Sequence, residues 1–205
     1  MSFYGAVRSL FYPAGRWYFG MKVEGIEHLP RTGPAIVAAN HVSWLDPAVI
    51  GSACPRPIRF LIARPVYDKP WSRWFYHGMR TIPVEGGGGD RRALRTALRA
   101  LGRGELVGVF PEGRGLLQIG VSREAKPGAL LLAFLSGAPF VPVALTGTLE
   151  AWPPDRTLPR PGSVRVRFGP PYSPSSGRRR PAKEELRSLA AELMERIYSM
   201  ARTGP

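Results

Sequence analysis

The residues best suited to chemistry lie in Asn40-His41-Val42-Ser43-Trp44-Leu45-Asp46-Pro47. An imidazole and a carboxylate are separated here by four positions. On an ideal helix, Asp46 would point about 140° away from His41. Contact therefore requires the intervening residues to turn irregularly, with Pro47 suited to begin the helix that follows. If the two meet, the carboxylate fixes one ring nitrogen and leaves the other to remove a proton from a hydroxyl. Such a pair has no nucleophile of its own, and the spacing alone recurs by chance. A metal centre is not expected.

A second segment, Phe110-Pro111-Glu112-Gly113-Arg114-Gly115, also follows a strand-like run. Gly113 and Gly115 let the backbone approach a ligand, and Arg114 offers a planar fork of donors suited to phosphate. Taken alone, Pro-Glu-Gly is equally a simple turn. Lys126-Pro127-Gly128 is either an anion site at a helix start or an ordinary beginning of a helix. His28 and His77 have no comparable carboxylate spacing and are read as structural or exposed.

In order and distance, these segments resemble the glycerolipid acyltransferase family, whose best-known members are 1-acyl-glycerol-3-phosphate O-acyltransferases. Asn40-His41 with Asp46 is similar to the first family motif. The Phe60–Val84 region, ending Gly78-Met79-Arg80-Thr81-Ile82-Pro83-Val84, is similar to the second. Phe110-Pro111-Glu112-Gly113 resembles the third and Val141-Pro142-Val143 the fourth, so the likeness covers residues 20–170.

The resemblance implies that His41 is a general base oriented by Asp46 and that no acyl-enzyme forms. It further implies that Glu112, Gly113 and Arg114 line the acceptor site, with Arg114 at phosphate. Arg64 and Arg91, near the second motif, and Lys126 are further phosphate candidates. The implied reaction moves a fatty acyl group from acyl-CoA or acyl-carrier protein to the free hydroxyl of lysophosphatidate, with the thioester as co-substrate and no cofactor. Two departures bear on the acceptor. The family's Thr-Arg-Ser is replaced by Arg114-Gly115-Leu116, and the acid-arginine pair ending the second motif by Glu85 and a glycine run before Asp90-Arg91. Another lyso-lipid, such as lyso-ornithine lipid, is therefore the alternative acceptor.

The elements that must hold these residues alternate in type. Short apolar runs at Ala35–Ala39, Ile58–Ala63, Thr81–Val84, Leu106–Phe110, Phe140–Leu145 and Val164–Phe168 read as strands. Asp90 is placed to cap a helix with Leu94, Ala97, Leu98 and Leu101 on one face and Arg92, Arg95, Arg99 and Arg103 on the other. That basic face either meets lipid phosphates or is simply solvated. Pro127 is expected to start a buried helix over Gly128–Leu135, and a last helix spans 182–202. The expected fold is α/β, a single layered domain over residues 20–205 with a mixed central sheet flanked by helices.

Residues 1–19 stand apart as an amphipathic segment. Phe3, Tyr4, Val7, Leu10, Phe11, Ala14, Trp17 and Tyr18 form a helical stripe interrupted by Pro13, with Arg8 and Arg16 beside it. It is either a membrane-interface anchor or a helix packed on the core. The chain of 205 residues carries 29 Lys and Arg against 15 Asp and Glu, a net charge of +14 that favours an anionic membrane surface. Charge alone would also fit a non-catalytic module binding membrane or nucleic acid, but that leaves the motifs unexplained, and no nucleic-acid partner is expected. No apolar run reaches the roughly 20 residues of a membrane span, so a peripheral or monotopic place on the cytoplasmic face is expected. Arg178–Arg180 and Gly86–Gly89 read as a solvated basic loop and a flexible connection, or as lipid and ligand contacts. Cys54 reads as a small buried hydrophobe, since no activating base is placed beside it. There is no G-x-S-x-G elbow and no Walker-type loop.

Overall fold

The computed structural model describes residues 2–85, 89–113, 125–153, 155–174 and 182–202. Within them, seven strands form one sheet in the order β1-β7-β6-β2-β5-β3-β4. They are β1 (Lys22–Glu24), β2 (Ala35–Ala39), β3 (Ile58–Ala63), β4 (Ile82–Val84), β5 (Leu106–Val109), β6 (Phe140–Thr146) and β7 (Arg165–Phe168). β2 to β6 are mutually parallel, whereas β7 pairs antiparallel to β6 and parallel to β1. The sheet is therefore mixed, as expected.

β2 is wholly buried because both of its faces are covered, which explains why it reads as an unbroken apolar run. Ala35, Val37 and Ala39 point into one core layer, beneath α2 (Asp46–Ala53), and α1 (Phe3–Tyr18) packs outside that helix. Ile36 and Ala38 point into the opposite layer, formed by α5 (Arg91–Gly102), α6 (Gly128–Ser136) and α8 (Lys183–Arg202). Asp90 caps α5 as its spacing predicts, its Oδ1 accepting the N–H groups of Arg92 and Ala93 at 3.0 and 2.9 Å. Gly137, in the left-handed region at φ +67, ends α6.

The structure departs from the sequence expectations in several places. α1 runs unbroken through Pro13, which is exposed, so the helix loses only one internal hydrogen bond there. Short β1, the helical turns α3 (Arg64–Tyr67), α4 (Arg73–Gly78) and α7 (Thr148–Ala151), and a 3-10 turn at Ile26–His28 were not marked by periodicity. All are too brief to show one. Arg114, Arg178–Arg180 and residues 86–88 lie outside the described residues.

Candidate active site

The carboxyl ends of β2, β5 and β6 lie side by side because these strands are parallel, and the chain moves outward from β2 in both directions. Loops leaving such an edge at a reversal of strand order are favoured places for ligands. Asn40 terminates β2 there. Its side chain accepts from Leu145 N–H at 2.8 Å and donates to Leu145 C=O at 3.0 Å, locking the end of β2 to β6.

The chain then turns without helix through residues 41–45 before α2 begins at Asp46. This irregular turn closes the gap that a helix would have left. His41 Nδ1 lies 2.9 Å from Asp46 Oδ2, and the same oxygen accepts the N–H groups of Val42 at 2.7 Å and Ser43 at 2.8 Å. Ser43 Oγ in turn donates to Trp152 C=O at 2.6 Å and accepts from Leu45 N–H at 3.2 Å, fixing the turn. Asp46 is fully buried, whereas the His41 side chain keeps 16% exposure, enough for a ligand to reach the ring. An oxygen already held by two backbone donors can only accept, so Nδ1 carries the proton and Nε2 presents a lone pair.

Aromatic packing fixes the plane of the imidazole. His41 stacks on Phe110 with ring centroids 4.1 Å apart, and Phe110 stacks on Phe60 at 5.8 Å. Gly108 makes room for this row, since a Cβ there would lie 2.4 Å from Phe60 Cδ1.

Glu112 follows Phe110 on the turn after β5. Its Oε1 accepts from Tyr198 Oη at 2.8 Å and, more weakly, from His41 N–H at 3.4 Å. Burial pushes the Glu112 carboxyl above the usual carboxylate range, while the Tyr198 and His41 hydrogen bonds oppose that shift. Gly113 adopts φ +57 with the Lys126 stem packed where a Cβ would sit. Lys126 clasps the same turn, its N–H on Pro111 C=O at 2.7 Å and its ammonium on Gly113 C=O at 2.6 Å.

The structure therefore brings together His41, Asp46, Glu112, Gly113 and Lys126. Arg64, at the end of β3, is engaged by Glu85 at 2.8 Å, and Arg91 opens α5 with an exposed side chain. Neither has a hydrogen bond or ion pair to the dyad among the described residues. Sequence reading missed Asn40's clasp on Leu145 and the Tyr198 hydroxyl, whose partners lie 105 and 86 residues away. His28 Nδ1–H donates to Phe168 C=O at 2.9 Å, a structural position, and His77 is exposed. The described residues contain no cluster of His, Cys, Asp or Glu able to hold a metal ion.

This parallel-edged α/β sheet and its histidine–carboxylate pair belong to a known class of protein. Residues 20–146 match the family profile described as Acyltransferase, and the chain belongs to that family, the O-acyltransferases. Among its relatives, a 1-acyl-sn-glycerol-3-phosphate acyltransferase of Bacillus subtilis is 26% identical over 88% of both chains. A lyso-ornithine lipid O-acyltransferase of Pseudomonas aeruginosa is 32% identical over 62% of this chain and 48% of its own. The crystal structure of the 1-acyl-sn-glycerophosphate acyltransferase PlsC from Thermotoga maritima superposes with a TM-score of 0.77, covering 98% of this chain and 80% of that one at 25% identity.

Proposed function

We propose that this enzyme transfers a fatty acyl group from acyl-CoA or acyl-carrier protein to the free hydroxyl of 1-acyl-glycerol-3-phosphate, with His41 as general base. The observation that carries the reading is the 2.9 Å contact of His41 Nδ1 with buried Asp46. Nε2 takes the hydroxyl proton as the oxygen attacks the thioester carbonyl. Collapse of the tetrahedral intermediate breaks the C–S bond, and the departing thiolate takes the proton back from the imidazolium. Asp46 stabilises the charged ring meanwhile.

Glu112, Gly113 and Arg114 line the acceptor site in this reading. Of the other phosphate candidates, Lys126 is clasped to the turn that carries Glu112 and Gly113, whereas Arg64 and Arg91 make no hydrogen bond or ion pair to the dyad among the described residues. The match to the Bacillus subtilis enzyme over most of both chains supports lysophosphatidate as acceptor. A purified, folded His41→Ala protein should form almost no phosphatidate from lysophosphatidate and acyl-CoA; turnover at the wild-type rate would eliminate the mechanism. The likeness to the lyso-ornithine lipid enzyme favours a second acceptor, which a panel of lyso-lipids under one donor would separate.

The site of action in this reading is a membrane surface, and no helix among the described residues is long and apolar enough to cross a bilayer. Residues 1–19 serve as the interfacial anchor. One face of α1 is packed, with Tyr4 Oη donating to Gly51 C=O at 2.7 Å. The other leaves Leu10 68% and Trp17 87% exposed, and Phe3 at its start stacks edge-on against Trp74, 65% exposed on α4. Such rings favour the headgroup boundary. The net charge of +14 adds attraction to anionic lipid.

A further inference from the structure

We propose that Tyr198, on the last helix and beyond the residues that match the family profile, is a positioning residue for the acceptor site, holding the Glu112 carboxylate through its phenolic hydroxyl. This rests on the reading above that Glu112 belongs to that site.

Three observations carry it. Ala190, Leu193, Met194 and Ile197 form the buried stripe of α8, and Tyr198 follows one position on, at the margin of that stripe. A tyrosine placed there keeps its ring against the core while its hydroxyl reaches past it. That hydroxyl meets Glu112 Oε1 at 2.8 Å, an ordinary full-strength O–H···O distance, whereas the His41 N–H reaches the same oxygen only at 3.4 Å.

The end of α8 is also firmly anchored. The Arg196 guanidinium lies 4.4 Å over the Tyr172 ring, and Arg167 Nη1 donates to Met200 C=O at 3.0 Å. The hydroxyl is thus delivered from a fixed support and selects one rotamer of a side chain that stands on a turn. A carboxylate in this half-buried place is costly to ionise, and Tyr198 provides the largest opposing contribution. The other groups facing Glu112 are His41, which also favours the ionised form, and Asp46, which disfavours it. The Lys126 ammonium is held on the carbonyl of the next residue, Gly113.

The test compares wild type, Tyr198→Phe and Tyr198→Leu in detergent micelles with lysophosphatidate and acyl-CoA, alongside a carboxyl titration by NMR with side-chain-labelled glutamate. Phenylalanine keeps the ring and removes only the donor. The expected result is a KM for the acceptor raised about tenfold with the KM for the donor unchanged. The Glu112 resonance should titrate at higher pH than in wild type. Leucine should do no worse on the titration than phenylalanine.

A Tyr198→Phe enzyme matching wild type in acceptor KM and in the Glu112 titration would overturn the proposal, as would a defect confined to Tyr198→Leu, which would mark the ring as packing alone. If wild type acylates no lyso-lipid, the functional reading fails, yet the titration still decides whether the tether exists.

Discussion

Three N–H donors converge on a single oxygen of Asp46, and only one of them is the catalytic candidate's own ring. The backbone pair holds the carboxylate whether or not the imidazole is present, so the charge is built into the loop before the base is oriented by it. Asp46→Asn, which keeps the shape but offers a donor where an acceptor is needed, should lower kcat at least about a hundredfold with acceptor KM little changed. Steady-state kinetics on the folded variant would check this. Cys54 answers differently. It is fully buried, and desolvation raises its thiol to about 11, so the native protein should resist thiol reagents that label it at once in urea. Rapid labelling without denaturant would contradict the burial. The dyad was legible in the sequence because both partners lie on one short loop. The Glu112–Tyr198 bond was not, because nothing local in α8 says which residue of a distant strand end its tyrosine will meet.

At the scale of elements, apolar runs and caps fixed what the reader of the sequence could place. The run Ala35–Ala39 became β2 without a residue's change, since burial on both faces leaves a strand no polar positions. α5 began at its marked cap, and Asp90→Ala should cost about 1 kcal/mol in urea unfolding, with Asp90→Asn costing less because the amide oxygen still accepts. The Asp90 carboxyl is held below its ordinary 3.8, first by the Ala93 N–H and then by that of Glu85. A group depressed in the folded state contributes its stability above the unfolded value. That contribution should therefore disappear as pH falls below 3.8 through the folded value, and a pH series of unfolding curves would show it as a gap between wild type and Asp90→Asn that narrows in acid. Gly108 was not legible. Its role depends on Phe60 crossing from β3, and Gly108→Ala should displace the Phe60–Phe110–His41 row, costing about 1–3 kcal/mol and lowering kcat together.

For the whole molecule, α1 packs on α2 at Tyr4 and leaves Leu10 and Trp17 exposed on its other face, the face proposed to meet the membrane. Deleting it would strip α2 as well, so Leu10→Ser with Trp17→Ser is the cleaner variant. It should sediment less with anionic vesicles, and the binding that remains should weaken further with salt as the net charge is screened. Equal sedimentation at all ionic strengths would speak against the interfacial face. The mixed sheet adds one more consequence. Among the described residues β1 pairs with β7 alone, Lys22 opposite Arg165, and Arg167 reaches back to Glu24. During synthesis, this strand must wait unpaired until Arg165–Phe168 have emerged. Its brevity and its Lys and Glu ends keep the waiting edge from recruiting a neighbouring chain.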